Sequence, residues 1–416
     1  MKRYITILTL ILMIGSLSHA QSLENYYQLA AENNPQLQAS YNEYQAALQR
    51  IPQVNALPDP QFSFGYFISP VETRLGPQQA KFSLSQMFPW FGTLEARGDA
   101  ASLQAESKFQ SFINQRNRLY FQVASAYYPL YELQELIEIE KENIRILESY
   151  KTIATRKFEN GSGTMVDVLR ADIRLEDANT RLSILQKQRK PLETSFNKLL
   201  NRSKTEEINI TDSLTITPLP EANHKDTMIT NHPQIKALDL KMQASEANEL
   251  AARKQGMPKL GLGVDYVVTG KRTDINLPDN GRDVLMPMLS ISIPVFRGKY
   301  KASVEEARFM QESFNHRKKA VENQLIAEYE SVFFKIQKQR ELINLYQQQT
   351  KTLKQSLKLL FTAYGNSGEN FEEVLRMQQE LLKYRKLKAQ ALVDHEISVA
   401  KVNYLTSKSY SHESNQ

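Results

Sequence analysis

Between Pro58 and Gly92 the chain reads PDPQFSFGYFISPVETRLGPQQAKFSLSQMFPWFG, two segments of alternating polarity joined by a turn-rich loop. Over 61–69 one face carries Phe62, Phe64, Tyr66 and Ile68, and the other Gln61, Ser63, Gly65 and Ser69, with Phe67 as the exception. Over 81–88 Phe82, Leu84 and Phe88 alternate with Lys81, Ser83 and Ser85. Successive strand side chains point to opposite faces, so each segment is apolar on one side and small or polar on the other. Each is about the ~9–11 residues that a tilted strand needs to cross a bilayer. A hairpin in a soluble sandwich has the same pattern, so this stretch alone leaves both readings open.

The chain then repeats itself. Asn34-Pro35-Gln36-Leu37 returns as His232-Pro233-Gln234-Ile235, and Pro60-Gln61-Phe62-Ser63-Phe64-Gly65 as Pro258-Lys259-Leu260-Gly261-Leu262-Gly263, both 198 residues later. Phe88-Pro89-Trp90-Phe91 returns as Ile293-Pro294-Val295-Phe296, 205 later. Phe158-x-x-Gly161 with Val168-Leu169-Arg170 returns as Tyr364-x-x-Ser367 with Val374-Leu375-Arg376, 206 later. Four matches in order at a slowly drifting offset make the chain two copies of one unit, the drift being a longer second hairpin loop. The second copy alternates as well: Leu260, Leu262, Val264, Tyr266 and Val268 against Gly261, Gly263 and Asp265, then Leu289, Ile291, Ile293 and Val295 against Met288, Ser290 and Ser292. Four strands with large apolar residues on one face and small or polar ones on the other have the lipid-out, lumen-in pattern of a transmembrane barrel.

Each hairpin precedes a very long helical stretch. The first, about 93–159, would extend on the order of 100 Å, more than a globular domain uses. Leu133, Ile137, Ile144, Leu147, Ala154 and Phe158 form a coiled-coil seam that Glu140 and Lys151 interrupt. Asn160-Gly161-Ser162-Gly163 turns the chain into a return helix, about 165–201, carrying Val168, Ala171, Leu175, Ala178, Leu182 and Leu185. In the second copy, Leu353, Leu357, Leu360 and Tyr364 lead to the turn Gly365-Asn366-Ser367-Gly368, and Val374, Met377, Leu381 and Tyr384 lead back. The predicted organisation is a signal peptide at 1–20, a first repeat at 21–202, a linker at 203–220, a second repeat at 221–408 and a tail at 409–416. Predicted strands lie at about 60–69, 81–90, 258–268 and 285–296, and the second copy's long helices at about 299–364 and 371–408. The fold class is mainly α with a membrane β portion.

The signal peptide reading rests on Lys2 and Arg3, the apolar run from Ile5 to Leu17 and the small-x-small site Ser18-His19-Ala20. It places the mature start near Gln21, outside the cytoplasm. No other segment approaches ~20 consecutive apolar residues, so membrane insertion would require a closed barrel. Four strands cannot close one, and the smallest have about eight. Copies must therefore associate to hide the strand edges, and three would contribute twelve strands.

The P-x-[FL]-x-[FL]-G strand starts, the F-P-x-F and I-P-x-F strand ends, and the F-x-x-G…D-V-L and Y-x-x-S…E-V-L helix turns resemble the TolC-type outer-membrane efflux proteins over essentially the whole mature chain. The resemblance implies a homotrimer with a 12-stranded barrel in outer-membrane lipid, continued by a periplasmic α-helical tunnel. It implies two further partners, a periplasmic adaptor and an inner-membrane transporter. By the same resemblance Asp167 and Glu373 lie near the periplasmic tip, where threefold symmetry would make each a ring selecting cations. Glu369 and Glu372 add to that ring or face adaptor helices. Adaptor contact falls on the turns at Gly161, Gly163, Ser367 and Gly368, and the lipid-facing girdle on Phe62, Phe64, Tyr66, Phe82, Phe88, Trp90, Tyr266 and Phe296. The P-D-P and F-P-W-F-G motifs resemble the metal-efflux branch, which implies heavy-metal cations as cargo. A type I protein-secretion duct and a periplasmic coiled-coil adaptor or scaffold are the alternatives.

Chemistry is not suggested anywhere. With no cysteine there is no disulfide, thiolate site or cysteine nucleophile, and the six histidines lack ligand spacing. Lys and Arg are interspersed with Glu along the helices, with no patch suited to nucleic acid. The expectation is a channel with no cofactor, not an enzyme.

Overall fold

The computed structural model describes residues 23–210, 214, 216–218, 231–275, 277–367 and 371–407. The signal peptide, parts of the linker, Gly368, Glu369 and the C-terminal tail lie outside the described residues, as does the Ser367 side chain. The elements are α1 (Leu23–Asn33), α2 (Pro35–Asn55), β1 (Gln61–Val71), β2 (Gln78–Phe88), α3 (Thr93–Glu159), α4 (Met165–Leu199), α5 (Pro233–Gln255), β3 (Lys259–Thr269), β4 (Val284–Ser292), α6 (Gly298–Ser367) and α7 (Phe371–Leu405). The protein is mainly helical with one small sheet. No described helix is long and apolar enough to cross a membrane.

Contacts divide the chain into two compact units that do not coincide with the tandem copies. One comprises Ala39–Ile113 and Pro233–Asn323; the other takes the chain up to Gln38, Asn114–His232 and the chain from Gln324 on. Each unit therefore draws on both copies.

The first unit holds the sheet, antiparallel in the order β1-β2-β3-β4, so the central β2–β3 pairing joins one copy to the other. Register puts Phe62 opposite Leu84, Phe64 opposite Phe82, Phe82 opposite Tyr266 and Tyr266 opposite Leu285. Directly paired residues share a face. One face is therefore aromatic and aliphatic across all four strands, interrupted by Gln86, whose amide donates to the Pro58 carbonyl at 2.7 Å. The opposite face carries Ser63, Lys81, Ser83, Ser85, Gly263 and Asp265, together with Met87, Met286 and Met288. There Asp265, with a side chain 0% exposed, pairs with Lys81 on the next strand. Helices of this unit are joined by Ser107 Oγ donating to the Ala237 carbonyl at 2.8 Å and by the Lys318–Asp239 and Lys108–Glu43 ion pairs, both 2.7 Å.

Element ends differ from expectation in places that local chemistry explains. β2 begins at Gln78 rather than 81 and stops at Phe88, which leaves Trp90 beyond the strand. β4 stops at Ser292 rather than 296, because Pro294 has no N–H to extend the ladder, so Phe296 is also outside the sheet. β1 continues through Pro70, as an edge strand can. α6 does not break at Gly365 but runs to Ser367. A mid-helix glycine costs only about 1 kcal/mol, and the burial of neighbouring Tyr364 outweighs it. α4 and α7 end at Leu199 and Leu405, slightly short of the predicted 201 and 408.

In the second unit an aromatic cluster packs Tyr26 against Phe196 (5.0 Å, edge-on) and Tyr127 (5.8 Å). Asn34 caps α2, its Oδ1 accepting from Gln36 N at 3.0 Å and Leu37 N at 3.1 Å, with Pro35 at the first helical position. His232, the last residue of this unit's middle segment, is buried. Linker residue Thr217 is held by Glu396, which accepts from its backbone N (3.0 Å) and its hydroxyl (2.7 Å).

Candidate functional site

The two helix turns carry the carboxylates and the small residues singled out from sequence. α3 ends in a Schellman motif: Ser162 N donates to the Lys157 carbonyl at 2.8 Å and Gly161 N to that of Phe158 at 3.0 Å. Gly161 takes the required left-handed conformation, φ +69°. A Cβ on Gly163 would sit 2.9 Å from that of Lys157, so the chain folds tightly back over the last turn of α3. Thr164 then caps α4, its side chain accepting from Asp167 N at 3.2 Å.

Behind the turns lies an apolar cluster drawn from α3, α4, α6 and α7, including Ile144, Leu147, Val168, Ala171, Leu357, Val374 and Leu375. Its aromatic part stacks Tyr150 on Phe361 (5.0 Å) and Tyr364 against Phe371 (4.8 Å), and Lys157 lies over the Tyr364 ring at 5.2 Å. Burial pushes the Tyr150 phenol up to about 12. Burial, with the neighbouring Asp167 charge, does the same to Tyr364.

Among the described residues, the carboxylates at these turns lie against groups of the same chain. Asp167 is buried beside Tyr364. Glu372 pairs with Arg170 at 3.0 Å, linking α4 to α7. Glu373 accepts from Arg376 Nε at 2.8 Å, and that hydrogen bond holds its carboxyl below the usual range. Of the four glycine and serine positions expected at the turns, Gly161 and Gly163 shape the first as described.

Sequence reasoning missed a polar layer further along the same helices. Glu140, fully buried, pairs with Lys386 and accepts from Asn143 at 3.3 Å, and Gln378 donates to Asn143 Oδ1 at 3.1 Å. Arg385 adds a 2.7 Å pair with Glu142. The signal was present: Glu140 and Lys151 are the two interruptions of the seam, and Lys151 is paired too, with Asp172.

A second missed feature lies at the base of the sheet. A cavity of about 730 Å³ is bordered by Arg50, Arg97 and Asp59, and an adjoining one of about 280 Å³ by Asp59, Arg97, Lys254, Lys259 and Trp90. The strand residues that border the smaller one, Gln61, Met87, Lys259 and Ser292, belong to the polar face by register. These basic residues are too far apart in sequence to show as a cluster. Among the described residues, no three His, Asp or Glu side chains gather into a metal site.

The expected girdle divides in two. Phe62, Phe64, Tyr66, Phe82, Phe88 and Tyr266 are on the apolar face of the sheet, whereas Trp90 and Phe296 lie past strand ends.

The sequence model of the family described as "Outer membrane efflux protein" matches residues 26–202 and 226–405. Among curated relatives, "Toxin and drug export protein A" of Aggregatibacter actinomycetemcomitans is 23% identical over 236 residues, 55% of this chain and 50% of that protein. "Alkaline protease secretion protein AprF" of Pseudomonas aeruginosa is 23% identical over 316 residues, 69% of this chain and 64% of that one. The chain thus spans about half the length of the first curated relative and under two thirds of the second. Among solved structures, the outer-membrane channel OprN matches with a TM-score of 0.77 at 17% identity, covering 93% of this chain and 90% of OprN. The outer membrane protein VceC of Vibrio cholerae matches with 0.73 at 17% identity, covering 92% and 96%.

Proposed function

The chain belongs to the outer membrane efflux protein family, and on that premise we propose that it is the passive exit duct of a tripartite export system. Three copies would each contribute four strands to a 12-stranded barrel in the outer membrane, with the helices continuing as a periplasmic tunnel. The observation that carries this reading is the sheet itself. Its outer strands β1 and β4 have unpaired edges within the protomer, and its aromatic face is solvent-exposed, Phe62 by 67% and Leu285 by 69%. Neither an open edge nor such a face suits a lone soluble chain. Closing the ring satisfies the edges, and lipid covers the face.

The helix turns are the surface proposed for a periplasmic adaptor, with an inner-membrane transporter delivering the cargo. The rigid Gly161–Thr164 turn supports that role, since a preformed turn loses little freedom on docking. Catalysis is no part of this function. A periplasmic adaptor or scaffold is a poorer fit, because both copies feed one sheet whose apolar face lies open. A protein-secretion duct, a reading in line with the alkaline protease secretion named for the AprF relative, would differ in the transporter served rather than in this geometry.

Extraction of outer membranes in mild detergent tests the proposal. The expected result is a trimer that migrates as such without heating and as a monomer after boiling. A freely soluble periplasmic monomer would overturn it.

A further inference from the structure

We propose that the polar face at the base of the sheet is a cationic station inside the duct, which concentrates anionic solutes and favours cargo bearing carboxylate or other negatively charged groups. The assignment to cargo rests on the channel reading above. The two adjoining cavities share Pro58, Asp59, Arg97 and Gln255, so they form one continuous recess. Arg50, Arg97, Lys254 and Lys259 border it against the single carboxylate of Asp59.

Three observations give this charge a direction. The strand residues in the recess, Lys259 among them, lie on the face of Ser83, Ser85 and Asp265, opposite the aromatic one and on the lumen side in the channel reading, and Arg50, Arg97 and Lys254 border the same recess from the helices. Arg50 and Lys259 are exposed and form no ion pair among the described residues, Arg50 reaching only the Gln53 amide oxygen at 3.2 Å. Lys254 donates to the Gly92 carbonyl at 3.3 Å; Glu95 has a carboxylate nearby but does not border the recess. A recess with low-dielectric walls focuses the field of such a set and raises the local concentration of opposite charge. Threefold repetition would make it a belt. That polarity runs against the heavy-metal cations implied by the strand-flanking motifs.

Trp90 is the one tryptophan in the chain and borders the smaller cavity, so its fluorescence reports on this recess. In detergent-solubilised protein, quenching by iodide is compared with quenching by neutral acrylamide. The iodide-to-acrylamide ratio is expected to fall by about twofold in Arg50→Gln/Lys259→Gln and to rise in Asp59→Asn, as local anion concentration follows local charge. All three substitutions are at exposed positions and leave the core intact. An unchanged ratio in both variants overturns the station. In planar bilayers under a KCl gradient, the double variant is expected to shift the reversal potential towards cations; a conducting pore without that shift also overturns it. A wild-type protein that forms no pore, while Trp90 quenching still follows the charge, sinks the duct reading and the cargo assignment with it.

Discussion

The helix turns and the base of the sheet are both rich in charge, but they dispose of it differently. At the turns Glu372 and Glu373 face Arg170 and Arg376, and Asp167 is folded in beside Tyr364. At the base, Arg50 and Lys259 are exposed beside a recess bordered by one carboxylate, and among the described residues neither forms an ion pair. Charge that is paired inside a protomer holds helices in place and presents little net field to a passing solute. Charge left facing a cavity presents most of its field. A count of acidic residues near a constriction is therefore a poor guide to selectivity until their partners are known.

The strongest test of this contrast asks whether the turns are held mainly by packing. Phe371→Ala removes a buried ring from the Tyr150–Tyr364 cluster and is expected to cost about 3–5 kcal/mol. Thermal unfolding and faster protease cleavage at the Gly161 turn would register it. A neutral result would mean that the ion pairs, not the apolar cluster, carry the turns.

Acid is the natural means of discharging carboxylates, and His232 sets its limit. Burial pushes this imidazole down to about 4, while the backbone of Tyr404 and the Glu328 charge oppose the shift. Folding favours the neutral ring, so its contribution is complete above the unfolded value near 6.5 and is lost as pH falls from there towards 4. The loss amounts to about 3 kcal/mol at most. Melting temperature measured against pH should therefore fall over that window in the wild type and more gently in His232→Gln. Equal slopes would remove His232 as the cause. Glu373, with its carboxyl held low by Arg376, should stay ionised through the upper part of this range.

The smallest effect on stability belongs to the exposed pairs. Arg170→Gln with Arg376→Gln should leave the melting temperature nearly unchanged, because exposed ion pairs contribute little to stability. It would nevertheless leave Glu372 and Glu373 uncompensated, and the bilayer reversal potential should move towards cation selectivity. No movement would place those carboxylates away from the conduction path.

Much of this architecture can be read from the chain. Phe62, Phe64 and Tyr66 alternate with Ser63 and Gly65 because a pleated strand has a period of two, and the observed register keeps those sets apart. Asn160-Gly161-Ser162-Gly163 announces a helix end because a Schellman motif needs a left-handed residue, and Gly161 supplies it. Gly365 carried the same signal and misled, since Tyr364 is packed firmly enough to keep α6 helical past it. Glu140 reads as a flaw in the seam until Lys386 arrives from the other copy.

What the sequence determined by itself are the periodic and local features: the repeat, the two-faced strands, the long helices and the first turn. Each follows from residues near one another along the chain, through backbone sterics and side-chain spacing. Only the tertiary structure decided which charges are partnered. Arg170 meets Glu372 and Lys386 meets Glu140, while Arg50 and Lys259 converge on a shared recess. Electrostatic pairing depends on distance in space, and between residues some two hundred positions apart no local rule supplies that distance.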